Sequence, residues 1–199
     1  MVLSQESKPD VVNQGCYDFR LSELIRQRAW VEIDQNALRH NVGQFKGLLK
    51  HDTDLMAVVK ADAYGHGAVR IAQMALEAGA TWLAIATLGE GIELREAGIT
   101  APILILGAIN TPEEVRAIIH WQLEPTLCNE EQAILFAKTL EKQAKKLSVH
   151  LKLDTGMSRL GTSWQQALNF VQTVKGLPNL HLASIYSHLA TADDPDRSI

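Results

Sequence analysis

The stretch AVVKADAYGHG, Ala57 to Gly67, sets a lysine, a tyrosine, a histidine and two glycines directly behind an apolar run. An ammonium at the end of such a run is partly desolvated, which lowers its pKa and makes the neutral, nucleophilic amine more available. Lys60 is therefore suited to a Schiff base with a carbonyl, an aldehyde cofactor included. The plainer reading is a lysine whose stem snorkels to solvent. Gly65 and Gly67 permit positive φ and close backbone approach, and Tyr64 offers a hydroxyl able to donate to a phosphate oxygen.

A second group lies in LKLDTGMSRLG, Leu151 to Gly161. Arg159, in a glycine-flanked loop, presents a planar fork suited to a phenolate or carboxylate. Lys152 shares the strand-end character of Lys60. Two ammonium groups near one pocket repel, so Lys152 is expected to be paired, modified or turned away. Asp154 reads either as its counter-ion or as a turn former ahead of glycine. A third group is Ser187-His188, where His188 could donate or accept beside a ring, with Ser187, Thr191 and Asp193 as further polar candidates for the same rim.

These residues need elements to bring them together. Apolar runs predict six strands, Leu55–Val59, Thr81–Thr87, Pro102–Leu106, Leu123–Cys128, Ser148–Leu153 and His181–Tyr186. Several are apolar at successive positions, as in strands covered on both faces of a parallel sheet. Helical spacing marks Asn36–Leu49, the segment after Gly67 ending near Gly79, one opening at Thr111-Pro112-Glu113-Glu114, one opening at Asn129, and one opening at Ser163 and Gln166 and stopping at Gly176. Strand and helix alternation implies βαβ crossovers, closing either as an open doubly wound sheet or as a (β/α)8 barrel, whose functional residues gather at the C-terminal strand ends. Six strands in 199 residues make such a barrel incomplete.

With 46% hydrophobic and 21% charged residues the chain can build a sizeable core. A net charge of −4, with no basic run beyond Lys142, Lys145 and Lys146, gives no electrostatic reason to expect nucleic acid or anionic membrane as a partner. Cys16 and Cys128 are too few for a disulfide framework or a zinc site and read as reduced thiols of a cytoplasmic protein; no metal is expected. Residues 1–27 lack the apolar core of a signal peptide and are read as a mobile extension, ahead of a domain spanning 28–199.

Together VVKADAYGHG, KLDTGMSRLG and YSHLATAD closely resemble alanine racemase, a fold-type III pyridoxal-phosphate enzyme, with the likeness running from Arg28 to Asp194. The resemblance implies an α/β fold, an incomplete (β/α)8 TIM-type barrel with about six of eight βα units, and pyridoxal 5'-phosphate as cofactor. It implies that Lys60 carries the cofactor and serves one face of the substrate α-carbon, that Tyr64 contacts the phosphate, that Arg159 approaches the cofactor phenolate and the substrate carboxylate, and that His188 packs at the ring. Lys152 matches a position carbamylated in several members, a change that would turn its cation into an anion beside Arg159. Ser158 and Leu189 depart from common family residues at positions without a catalytic role. The family completes its barrel and adds a β-rich domain, whose tyrosine reaches the opposite face of the carbon across a homodimer interface. The chain is accordingly read as an N-terminal portion of an enzyme interconverting L- and D-alanine for peptidoglycan, nearly inactive alone. A non-catalytic cofactor-binding barrel and a racemase of serine or another small amino acid are the alternatives.

Overall fold

The computed structural model describes residues 31–141 and 146–195. The chain divides into two compact units, Met1–Ile33 and Asp34–Ile199, and every helix and strand among the described residues belongs to the second. Its elements run α1 (Gln35–Leu48), β1 (Met56–Val58), a tight turn over Lys60–Gly65, α2 (Ala68–Glu77), β2 (Trp82–Ile85), α3 (Leu88–Glu96), β3 (Ile103–Ala108) and α4 (Pro112–His120). There follow β4 (Glu124–Leu127), α5 (Glu130–Leu140), β5 (Leu147–Asp154), β6 (Thr162–Ser163), a 3-10 turn (Trp164–Gln166), α6 (Ala167–Gly176) and β7 (Leu180–Ser187). The extension expected over 1–27, with Cys16, lies outside the described residues, as do Lys142 and Lys145.

All pairings are parallel: β1 to β2, β2 to β3, β3 to β4, β4 to β5, and β5 to both β6 and β7. The α/β fold with six principal strands is as the sequence predicts. A seventh, the two-residue β6, was not anticipated, being too short to leave an apolar run. Among the described residues β1 pairs only with β2, and β7 only with β5, so the strands form an unclosed arc of a barrel.

Because side chains alternate along a strand, each face of the sheet collects every second residue. Leu83, Ile85, Ile103, Ile105, Leu127, Val149 and Leu151 are fully buried and form one face. Helix α3 closes tightly on it: a Cβ at Gly91 would stand 2.7 Å from both Ile85 Cδ1 and Leu123 Cδ1. The other face carries Thr126, His150, Lys152 and Tyr186, so the polar residues share one surface. There His150 bonds through Nε2 to Glu124 Oε2 (2.9 Å) and through Nδ1 to Ser184 Oγ (2.7 Å), with the Trp82 ring edge-on at 5.6 Å. A register shift between β5 and β7 pairs Val149 with Leu182 but His150 with Ser184; that one-residue bulge at Ala183 keeps Ser184 and Tyr186 opposite His150 and Lys152.

The helix starts obey capping rules. Asp34 caps α1, Asn129 caps α5, and Thr111 with Glu114 forms the expected capping box behind Pro112. Helix α3 was missed. Thr87, read as the end of a strand, is its N-cap, closing a second capping box with Glu90, while β2 stops at Ile85. Ser163 does not cap α6; its hydroxyl bonds Gln165 and a 3-10 turn intervenes. Among the described residues no helix is long and apolar enough to cross a membrane, and no group of three or more His, Cys, Asp or Glu residues could hold a metal ion.

The connection from β1 to α2 is unusual. Gly65 and Gly67 have φ of 84° and 88°, as their lack of a side chain allows, but Ala61, Asp62, Ala63 and Tyr64 also lie between 50° and 56°. Four consecutive L-residues therefore make a left-handed turn, at about 1–2 kcal/mol each. Offsetting bonds run from Ala63 N–H to Val59 O (2.9 Å), from Gly67 N–H to Asp62 O (3.0 Å) and from Ala68 N–H to Asp62 Oδ1 (2.6 Å). Ala61 is exposed, so glycine there removes the Cβ clash without opening a cavity. We expect Ala61→Gly to leave the unfolding midpoint unchanged or raise it by up to about 1 kcal/mol, whereas Ala37→Gly on the exposed side of right-handed α1 lowers stability by about 0.5–1 kcal/mol. Chemical denaturation of the two variants compares them directly.

Candidate functional site

A cleft of about 450 Å³ opens at the C-terminal ends of the strands. It is lined by Val58, Lys60 and Tyr64 around the end of β1, Ala86 after β2, Leu106 and Gly107 in β3, Lys152 in β5, Arg159 and Leu160 in the following loop, and Tyr186, Ser187 and His188 at the end of β7. Lys60, Tyr64, Lys152, Arg159 and His188, separated by up to 128 positions in sequence, thus share one cavity. Ser187 joins them. Asp154, Thr191 and Asp193 are not among the lining residues.

Of the two lysines, Lys152 is the more deeply buried. Lys60 lies beyond the end of β1 and is half-buried, its Nζ 5.9 Å from the Tyr64 ring centroid. Lys152 is two residues short of the end of β5, one layer deeper, and only 7% exposed. Burial pushes its ammonium below the usual lysine value, and the cations of Arg159 and Lys60 add to this; the Cys128 thiol and, more weakly, the Asp154 carboxylate oppose it. Lys152 neither turns away from Lys60 nor pairs with a carboxylate: among the described residues no acidic oxygen comes within ion-pair distance of it. Cys128, whose thiol burial pushes up, is a free buried cysteine, as its sequence context suggested.

Asp154 takes the turn-forming role. Its Oδ1 accepts from Gly156 N–H (3.1 Å) and Ser158 N–H (2.9 Å), which hold its carboxyl below the usual range and shape the loop that presents Arg159. The loop returns at Gly161, where φ is 117° and a Cβ would stand 2.9 Å from Lys152 O and Asp154 N; only glycine brings Arg159 back against β5.

Tyr186 was overlooked in the sequence. Thr126 Oγ1 donates its single proton to Ile105 O (2.6 Å), so the 2.7 Å contact with Tyr186 must run from the tyrosine hydroxyl to Thr126. Burial pushes this phenol up to about 12, and the Lys152 Nζ stands 5.8 Å from its ring centroid. The signal was its place in YSH: Tyr186 is the last but one residue of β7, immediately before the Ser187-His188 pair.

The lining residues therefore include three cationic side chains, Lys60, Lys152 and Arg159, with two phenols, a histidine and no carboxylate. Such a set fits an anionic small molecule, and the volume falls within the roughly 300–1,000 Å³ of small-molecule sites.

The family model for the N-terminal domain of alanine racemase matches residues 33–199. The chain belongs to the alanine racemase N-terminal domain family. It is 73% identical over 173 residues to an alanine racemase of Synechocystis, an alignment that takes in 87% of this chain and 46% of that protein. The solved alanine racemase from Bacillus anthracis with bound L-Ala-P superposes with a TM-score of 0.76 at 39% identity, over 84% of this chain and 43% of that one. A histidine racemase from Leuconostoc mesenteroides is 32% identical with a TM-score of 0.75, over 81% and 43% of the two chains. The chain thus spans about half the length of the racemases it matches.

The alanine racemase fold places Lys152 as a cation in a buried site without a partner, and the sign of its effect on stability follows. Its folded pKa lies below the unfolded value near 10.5, so the penalty is complete below the folded pKa and is relieved as pH rises through that value toward 10.5. Lys152→Met should therefore raise stability at neutral pH, on the order of 1 kcal/mol, and remove the gain seen on going alkaline. Denaturant unfolding at pH 7 and 10 in bicarbonate-free buffer tests this; a fall in the neutral midpoint would contradict it.

Proposed function

We propose that the full-length protein is a pyridoxal 5'-phosphate-dependent racemase that interconverts L- and D-alanine, a source of D-alanine for peptidoglycan, and that residues 28–199 are part of its cofactor-binding barrel. The observation that carries this reading is the convergence of Lys60, Tyr64, Lys152, Arg159 and His188 on one acid-free cleft at the strand ends. Family membership and the L-Ala-P bound to the Bacillus relative support it.

When bound, the cofactor supplies an electron sink that acidifies the α-carbon beside the substrate amine. The remaining work belongs to side chains. Lys60 holds the cofactor through its amine and, once freed by the incoming amino acid, takes or returns a proton on one face of the α-carbon. The Tyr64 hydroxyl donates to the phosphate. Arg159 turns its fork to the cofactor phenolate and the substrate carboxylate, with His188 against the ring. Burial lowers the Lys152 pKa and so makes the neutral amine that carbamylation requires more available, and as a carbamate Lys152 would orient Arg159 rather than repel it. The proton on the opposite face is assigned to a residue outside these 199, brought in by a homodimer partner, so the 199-residue chain alone should turn over little.

A racemase of another amino acid is the second reading, favoured by the likeness to histidine racemase. For the test, the complete reading frame is expressed, loaded with pyridoxal 5'-phosphate, reduced with borohydride and digested. The label should map to Lys60, with D-alanine formed from L-alanine faster than D-serine or D-histidine from their enantiomers. Lys60→Ala should lose the label and at least about 10²–10⁴-fold in rate. Label on another lysine would overturn the assignment, and label without turnover of any amino acid would favour a carrier.

A further inference from the structure

Among the described residues there are two capping boxes, Thr87 with Glu90 and Thr111 with Glu114, and they use the second carboxylate oxygen differently. Glu114 uses Oε2 alone, accepting from Asn110 N–H (3.1 Å), Thr111 N–H (3.0 Å) and Thr111 Oγ1 (2.9 Å). Glu90 likewise caps its helix through Oε2, accepting from Ala86 N–H (2.6 Å) and Thr87 N–H (3.1 Å). Its second oxygen, Oε1, reaches across to the neighbouring strand end and accepts from Ala61 N–H at 2.8 Å. One oxygen suffices for a cap, as Glu114 shows, so the second bond of Glu90 serves something else.

Ala61 is the residue after Lys60 and the first of the four left-handed residues. The chain leaves the extended path of β1 at Val59 (φ −116°, ψ 21°), whose N–H bonds to Ala84 O (2.8 Å), and the Lys60–Ala61 peptide then opens the left-handed run. Four residues in a conformation that L-side chains disfavour persist only if their surroundings over-determine them. The other bonds of the turn, from Ala63 to Val59 and from Gly67 and Ala68 to Asp62, lie inside the β1–α2 connection itself. Glu90 ties its first peptide to β2 and α3.

We propose that Glu90 is a positioning residue for Lys60: by accepting the Ala61 N–H it locks the left-handed turn that sets the Lys60 amine beside the Tyr64 ring in the cleft. This rests on the assignment of Lys60 as the cofactor-bearing lysine. The contact is charge-assisted and lies one residue from the reactive amine, so its loss acts on that amine before it acts on the fold.

Glu90→Gln separates the two roles. The amide oxygen keeps the cap, since glutamine serves in a capping box, while the amide nitrogen turns a donor toward the Ala61 N–H. Glu114→Gln is the matched control. Full-length wild type, E90Q and E114Q are compared for the rate of pyridoxal 5'-phosphate uptake at Lys60, followed by absorbance and by borohydride labelling, for the pH dependence of that absorbance, for thermal midpoint, and for hydrogen exchange of the peptide containing Ala61. The expected result is uptake slowed about ten-fold or more in E90Q with a displaced pH profile and faster exchange at Ala61, while E114Q behaves as wild type and all three keep similar midpoints. Wild-type uptake and exchange in E90Q, or equal losses in both variants, would overturn the inference. If wild type itself takes no label at Lys60, the cofactor assignment fails first and the inference falls with it; labelled wild type with an unaffected E90Q removes the inference alone.

Discussion

Parallel pairing in a common register is the constraint on which the site depends. With every strand running the same way, the C-terminal ends of β1, β2, β3, β5 and β7 come to one edge, and residues that follow those ends meet there whatever their distance in sequence. The two-residue period then sorts the strands into a helix-covered face of leucine, isoleucine and valine and an inner face where Glu124, Thr126, His150, Lys152, Ser184 and Tyr186 are stacked in layers. Hydrogen bonding satisfies the lower layers: Glu124–His150–Ser184, then Tyr186–Thr126–Ile105. The uppermost, Lys152 with Lys60 and Arg159, is left with cations and no acid. The same sheet that satisfies its polar groups at one depth leaves positive charge without an ion-pair partner among the described residues at the depth where a ligand can enter.

Two features concentrate cost around that ligand site. The left-handed turn after Lys60 holds four L-residues where sterics disfavour them, and Lys152 is a buried cation whose nearest charged neighbours include two more cations. Neither favours folding. Both are held by structure that has its own reasons to form: the strand pairing of β1 with β2, the cap of α3, and the packed face beneath. A rigid scaffold of this kind tolerates strain and unpaired charge at its rim because the stability it draws from apolar burial does not depend on the rim.

Much of this was legible from the residues. Apolar runs located six strands because fully buried parallel strands carry no polar interruptions on their helix-facing side, and capping residues located α4 and α5. What escaped was local chemistry read under the wrong heading. Thr87 was absorbed into a strand because it follows LAIA, although Thr87-Leu88-Gly89-Glu90 has the same capping spacing as Thr111 to Glu114. Tyr186 looked like one more apolar residue in ASIY, since a strand sequence does not announce which face holds the core. Nothing in Ala61 to Ala63 marked a left-handed turn, because alanine has no intrinsic preference for that region and enters it only when longer-range bonds compel it.

By itself, the sequence determined the class of fold, the approximate positions of its six principal strands and the chemical identities near their ends, since hydrophobic period and side-chain type are local properties of the chain. Only the tertiary structure decided which of two lysines is the more buried, which aspartate spends its hydrogen bonds on a loop, and which glutamate reaches a neighbouring strand. Burial and hydrogen-bond partnership are set by how far along its strand a residue sits and by what the adjacent strand brings beside it, and both are relations between segments that no single segment contains.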